Sequence, residues 1–270
     1  MRRTLLAVVL AVVSVTLFAC GSSGDTHSPT TSTRRPEVLT PLVIQEIPHD
    51  RDAFTEGFLF SADGRLWESV GHVGKSAIRE LSAETGTVIR ESPLAADEFG
   101  EGIAEGPDGV VQLTWKNGVA KQWDLESLTV ETVFAIEGEG WGLTFDTEQQ
   151  RFFQSDGSGQ LRIRDRDTFA QTGTLTVTRN GKPTDELNEL EWVDGQIYAN
   201  VWHSDEILRI DPTSGVVTAV VDASQLWTSS ERDSEMTLNG IAHRPGDPPN
   251  RLWLTGKNWP SMFVVDLPLP

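Results

Sequence analysis

Five short segments of this 270-residue chain, four of them glycine-bearing, set a polar or indole side chain at a nearly regular spacing. They are Phe54-Thr55-Glu56-Gly57-Phe58, Phe99-Gly100-Glu101-Gly102-Ile103, Gly140-Trp141-Gly142-Leu143, Leu187-Asn188-Glu189-Leu190 and Leu238-Asn239-Gly240-Ile241. The equivalent positions Glu56, Glu101, Trp141, Asn188 and Asn239 are separated by 45, 40, 47 and 51 residues. A second series runs in step: Trp115, Ser155-Asp156 and Trp202 each begin 14 residues after a member of the first, and Lys257 lies 18 after Asn239. Two carboxyl groups among amide, ammonium and indole donors are the equipment of general acid–base chemistry. Burying such carboxyls costs several kcal/mol unless they are paired, so Glu56 and Glu101 ask for a ligand, and Lys257 supplies at most one countercharge.

The elements that must position these residues are short strands. Leu187–Val193 alternates apolar and polar, Asp194-Gly195 is a type I′ hairpin dipeptide, Gln196–Trp202 alternates again, and Ile207–Asp211 is a third strand closed by Pro212-Thr213-Ser214-Gly215. Similar strand-then-turn endings recur at Ser82, Asp124, Asp165 and Asp211, in steps of 42, 41 and 46, with Asp266 a further 55 on. A period of 40–50 residues with three or four strands per unit predicts an all-β fold, a five-bladed β-propeller. Four of the five ring residues are followed by glycine, which in a strand marks close backbone approach; innermost strands crowd the propeller axis, so the ring should surround one mouth of the central channel. Val38–Ile47 is the candidate to pair with the last blade and close the ring.

The domain reading is a leader over 1–19, a tether over 20–37 and the propeller over 38–270. Arg2 and Arg3 precede the apolar run Leu5–Phe18, and Leu17-Phe18-Ala19-Cys20 has the form of a bacterial lipoprotein cleavage site. The alternatives are an ordinary secretory signal or a spanning helix, for which the run is short. Residues Gly21–Pro36 are rich in Ser, Thr and Gly and read as flexible. The expected protein is exported and lipid-anchored through Cys20 to the outer face of the bacterial cell membrane. A lone cysteine allows no intrachain disulfide. The formal charge of −18 becomes more negative by two once Arg2 and Arg3 are removed, which argues against nucleic acid or an anionic lipid surface as partner. His27, His49, His72, His203 and His243 show no metal-ligand spacing and read as surface or turn residues. Of nine tryptophans, Trp67, Trp123, Trp192, Trp227, Trp253 and Trp259 read as structural, whereas Trp115, Trp141 and Trp202 share the phase of the polar ring. No serine or cysteine nucleophile arrangement and no Gly-rich phosphate loop is found.

The segments His49–Gly57, Trp67–Gly71, Phe99–Gly102, Leu113–Lys116, Gly140–Thr144, Ser155–Gly157, Leu187–Glu191 with Tyr198–Trp202, and Leu238–Ile241 with Leu254–Pro260 resemble the glutaminyl cyclases of the plant and bacterial type. Those are five-bladed propellers that convert N-terminal glutamine into pyroglutamate and release ammonia. The resemblance runs in order over roughly residues 40–266. It implies Glu101 as the catalytic carboxyl group and Phe54, Trp115, Trp141, Asn188, Trp202 and Lys257 as the substrate pocket. Glu56 joins that pocket as a departure, because the family has Phe-Thr-Gln-Gly-Leu where this chain has Phe54-Thr55-Glu56-Gly57-Phe58. An amide donor is thereby exchanged for an acid that, when ionised, only accepts. Val70-Gly71-His72-Val73-Gly74 also lacks the tyrosine common before the last glycine.

The implied reaction needs a neutral α-amine, a polarised γ-carboxamide and a proton for departing ammonia. One carboxyl group can serve both nitrogens, with tryptophan N–H groups, Asn188 and Lys257 available as donors. The expectation is a monomer acting on peptides or proteins with N-terminal glutamine, with no cofactor and no metal. Two other readings stand beside it: a metal-dependent lactonase-like propeller with Glu56, Glu101, Asn188 and Asn239 around Ca²⁺, and a non-catalytic binding propeller.

Overall fold

In a computed structural model that describes residues 35–269, the chain forms five blades of four antiparallel strands, one of them extended by a parallel strand, with no α-helix among the described residues. Blade 1 is Thr55–Phe60, Leu66–Val70, Ala77–Leu81 and Val88–Pro93; blade 2 is Gly100–Gly106, Gly109–Thr114, Val119–Asp124 and Thr129–Ala135. Blade 3 is Leu143–Asp146, Arg151–Gln154, Gln160–Asp165 and Gln171–Thr176; blade 4 is Leu187–Val193, Gln196–Val201, Glu206–Ile210 and Val217–Asp222. Blade 5 takes Leu238–Ala242, Arg251–Gly256 and Ser261–Asp266 from the C-terminal end and Leu42–Pro48 from the other end of the domain. The first strand of each blade touches the first strands of its two neighbours, so the ring is closed. This is the five-bladed β-propeller expected from the period.

The period has a local cause. In blades 1 to 4 the turn into the outer strand begins with a side-chain oxygen that accepts the amide three residues on: Ser82 from Thr85 at 3.2 Å, Asp124 from Ser127 at 2.6 Å, Asp165 from Thr168 at 2.9 Å and Asp211 from Ser214 at 2.9 Å. The next residue is left-handed each time: Gly86, Leu128, Phe169 and Gly215, with φ between 52° and 71°. Ser and Asp favour such turns because their side chains replace a backbone acceptor.

Closure differs from the expectation in one respect. Val38–Ile47 is not one strand on the last blade. Pro41, which has no amide to donate, separates Glu37–Leu39, which runs parallel to Val217–Asp222 of blade 4, from Leu42–Pro48, which pairs with Ser261–Asp266. The segment therefore ties blade 4 to blade 5 before it completes the ring. A hairpin across Asn180-Gly181, pairing Thr178–Arg179 with Lys182–Pro183, adds to the link between blades 3 and 4. Asn-Gly is the type I′ signal that marks it. The leader, the residues of the tether before 35 and Cys20 lie outside the described residues.

Trp67, Trp123, Trp253 and Trp259 are buried, and Trp192 and Trp227 pack half-buried against the core, so all six structural assignments hold. His49 corrects the reading of all histidines as surface groups. It is buried directly after the closing strand, with Nε2 2.9 Å from Glu68 and Nδ1 2.9 Å from the carbonyl of Trp259. Glu68 also accepts from Thr55 at 2.6 Å and from Arg79 at 2.8 Å, and Arg79 reaches Asp50 at 3.0 Å. The cluster locks blade 1 to blade 5 at the seam. Burial would push Glu68 up, but His49, Arg79 and their hydrogen bonds hold it down at about 2. Burial would push His49 down, and Glu68 overrides it to raise the imidazole above its usual value.

Glu68→Gln should therefore lower stability by about 3–5 kcal/mol, as when one partner of a buried ion pair is removed. The wild-type contribution of Glu68 is present above the ordinary carboxylate range and is lost as pH falls toward about 2. That of His49 is complete below the ordinary imidazole value of 6.5 and is lost as pH climbs through its raised value. Urea midpoints across pH check both signs, and a wild-type midpoint in the variant would contradict the assignment.

Candidate active site

Four of the five ring residues leave the strand ladders because their first strands carry an extra residue where they sit, while Trp141 lies just before its strand, Leu143–Asp146. Pairing jumps from Thr55↔Val70 to Gly57↔Ser69 around Glu56, and from Gly100↔Thr114 to Ile103↔Gln112 around Glu101. It jumps likewise from Leu187↔Val201 to Leu190↔Ala199 around Asn188, and from Leu238↔Gly256 to Ile241↔Leu254 around Asn239. Such bulges re-aim side chains and sharpen the local twist. The glycines that follow answer the crowding: a Cβ on Gly102 would lie 2.5 Å from the carbonyl oxygen of Trp141, and one on Gly142 2.0 Å from that of Asn188. Blade 4 has Glu189 instead of glycine, and its carboxyl group spans the axis to accept from the amides of Ile241 at 2.9 Å and Phe58 at 3.4 Å.

At this end of the axis lies a cavity of about 270 Å³ lined by Phe54, Glu56, His72, Phe99, Glu101, Trp115, Trp141, Asn188, Trp202, Glu235 and Lys257. Every residue proposed from the sequence for catalysis or substrate binding is therefore in one wall or another. Asp156 and Asn239 are not in that lining. Asp156 is turned aside by Arg162, whose guanidinium holds it at 2.8 and 3.0 Å. Asn239 stands behind the wall, its amide donating to the carbonyl of Thr55 at 2.8 Å and to Glu56 at 3.2 Å.

Sequence reasoning missed Phe99, His72, Glu235 and, at the rim, Glu139. Phe99 packs edge-on against Phe54 and Trp115, with ring centroids 6.3 and 5.7 Å away, and His72 lies 4.2 Å from Phe54. His72 is thus a wall residue and not merely a turn residue. Burial, Lys75 and Lys257 push its imidazole below the usual value. The aromatic phase extends to Phe99 because it precedes Gly100-Glu101-Gly102, a signal present in the motif itself.

Lys257 Nζ lies 2.8 Å from Glu56 Oε1 and 4.5 Å from the centre of the Phe54 ring. An ammonium group thus already occupies the position on Glu56 that a Ca²⁺ ion would use, which removes the reason for reading the ring as calcium ligands. Burial raises both carboxyl groups, but unequally. On Glu56 it is opposed by Lys257 and by a hydrogen bond from Glu101. Glu101 is held well above the usual carboxylate range by burial and by the charge of Glu56, with Lys257 only partly offsetting them. The two carboxyl groups therefore titrate as a pair, and of the two Glu101 has its proton affinity raised the more strongly.

The indoles are committed differently from the sequence expectation. Trp115 Nε1 and Trp141 Nε1 both donate to Glu139 Oε2, at 2.8 and 3.0 Å, so neither is a donor to the cavity. Trp202 packs against Trp141 at 5.5 Å. The side-chain donors of Asn188 and Trp202 have no protein acceptor among the described residues. The arrangement offers a carboxyl group of raised proton affinity, a fixed ammonium–carboxylate pair and free amide and indole donors inside an aromatic box.

Residues 12–267 match the family model described as glutamine cyclotransferase. The glutaminyl-peptide cyclotransferase of Arabidopsis thaliana is 35% identical over 230 residues, spanning 83% of this chain and 70% of the relative. The crystal structure of Myxococcus xanthus glutaminyl cyclase matches with a TM-score of 0.78 at 37% identity, covering 86% of this chain and 98% of that one. Fold, ring motifs and these likenesses converge: the chain belongs to the glutamine cyclotransferase family.

Proposed function

We propose that this protein is a glutaminyl-peptide cyclotransferase that closes N-terminal glutamine of peptides or proteins to pyroglutamate, with Glu101 as the proton shuttle. The observation that carries the reading is the buried Glu101 beside the Glu56–Lys257 pair, in a cavity walled by aromatic rings. In the reactive complex one proton is held between the substrate α-amine and Glu101. The raised proton affinity of Glu101 brings it toward that of the amine, which ordinarily titrates near 8, so transfer between them is cheap.

The neutral amine attacks the γ-carbon, the C–N bond of the ring forms, and the carbonyl oxygen gains charge. Asn188 and Trp202 carry the unengaged donors that suit this oxyanion. Glu101 then gives its proton to the departing nitrogen and takes one from the ring nitrogen, which carries two after the attack. The C–N bond breaks, ammonia leaves, and Glu101 is as it began. Phe54, Phe99, Trp115 and Trp141 hold the chain end folded on itself, which replaces much of the entropy cost of ring closure. Glu56 neutralises Lys257 and keeps the proton on Glu101.

The location of the protein is read from its first residues: the leader ending at Ala19, with lipid on Cys20 and a polar tether to the propeller, fits an exported, membrane-anchored enzyme. A single acyl chain holds only marginally, so more than one is expected. Cys20→Ala should move the protein from the membrane fraction to the soluble one, and a wild-type N-terminus at another residue would refute the anchor.

Ammonia release from a glutaminyl peptide tests the activity directly. Glu101→Gln should cut turnover by roughly 10²–10⁴-fold with a smaller change in Michaelis constant, as for loss of a general acid–base group. Near-normal turnover would exclude Glu101 as the shuttle. Glu56→Gln removes the charge that keeps Glu101 protonated, so the acidic limb of the rate profile should move to lower pH than in the wild type. An unmoved limb with weakened binding would instead make Glu56 the seat of the substrate ammonium group.

A further inference from the structure

Glu139 belongs to neither periodic series, yet it touches two walls of the cavity. It lies on the connection from Thr129–Ala135 of blade 2 to Leu143–Asp146 of blade 3. Its Oε2 takes the indole N–H of Trp115 from blade 2 and of Trp141 from blade 3, and its Oε1 lies 3.3 Å from Lys116 Nζ. Lys116 in turn sits 3.7 Å above the Trp115 ring. The backbone at this point is pinned from both sides: Gln154 donates to the Glu139 carbonyl at 3.0 Å, and the Gly140 amide to the Trp115 carbonyl at 3.1 Å. Gly140 has no room for a side chain, since a Cβ would lie 2.8 Å from the Thr114 carbonyl oxygen.

We propose that Glu139 is a positioning residue for the cyclisation pocket: one carboxylate oxygen clamps the indoles of Trp115 and Trp141 so that walls from two blades hold one fixed spacing. Two charge-assisted hydrogen bonds converging on one atom set both indole orientations at once. An unbonded N–H in this half-buried site would lose that partner without full return to water. The carboxylate stays ionised to do this: burial pushes it up, but the two indoles and Lys116 prevail and hold it below the usual range. Its charge also reaches Glu101, adding to that of Glu56 against the offset of Lys257. Arg162 approaches the same connection at Gly138 but is engaged by Asp156.

The inference rests on the cyclotransferase reading for its kinetic arm and stands apart from it in its spectroscopic arm. In the full protein labelled with ¹⁵N, Glu139→Ala should shift two indole N–H resonances, assigned with Trp115→Phe and Trp141→Phe, and speed their exchange with solvent. The same variant should raise the Michaelis constant for a glutaminyl peptide by about tenfold to a hundredfold, the scale of misplaced substrate. Glu139→Gln, which keeps an acceptor and removes the charge, should show a smaller rise and an acidic limb moved to lower pH. Should the alanine variant not fold, the glutamine variant decides alone. Unchanged indole resonances in either variant that folds, or wild-type Michaelis constants in both, overturn the clamp. A wild-type protein that shows the two bonded indoles yet releases no ammonia refutes the enzymatic reading and leaves the clamp standing.

Discussion

Everything in this molecule follows from how closely five innermost strands approach one axis. Backbone meets backbone there, so a side chain fits only by leaving the ladder. The bulges at Glu56, Glu101, Asn188 and Asn239 are that escape, and the glycines after them mark where the neighbouring strand presses. The same crowding that denies room to a Cβ at Gly102 and Gly142 gathers carboxyl, amide and ammonium groups from separate blades. Glu189 stands where the other ring motifs have glycine, and its carboxyl group accepts hydrogen bonds from the amides of two other blades. Site and scaffold are therefore one feature of the fold.

Charge at the axis is arranged by burial first and pairing second. Two carboxyl groups and one ammonium group, all buried, leave a negative charge unbalanced if all ionise, which favours retention of one proton. Lys257 and Asn239 both engage Glu56, which leaves the proton to Glu101. In a relative with glutamine at position 56, Lys257 would lack that countercharge, and Glu101 would feel the lysine without the competing acid. The exchange of amide for acid thus changes the charge that Glu101 and Lys257 feel.

Much of this was legible because the ring and its companion series repeat with the blade. Residues in phase, such as Trp115, Trp202 and Lys257, are carried to the cavity by the same strand geometry that carries their counterparts. Phase fails where a local partner intervenes: Asp156 is in step but Arg162, six residues later, draws it away. It is silent about connections, which is why Glu139 and Glu235 went unread, and about long-range burial, which is why His49 was placed in a turn. Nothing near His49 in the chain announces Glu68 or the carbonyl of Trp259 as its partners. The break at Pro41 was available in the sequence, but which blade each half would join depends on where the ring closes.

The seam has a consequence for the order in which the protein is made. Leu42–Pro48 emerges from the ribosome long before Ser261–Asp266, its partner in the ladder. Until Ser261–Asp266 arrives, Leu42, Val43 and Ile44 have no strand to lie against, and even in the finished domain they stay exposed on its outer edge. Contacts spanning nearly the whole chain are entropically costly to form and slow to appear. A chain that stops before Ser261 would leave the ring open, with an apolar edge free to pair with another molecule. Arrival of Ser261–Asp266, and not local strand formation, is the event that closes the ring.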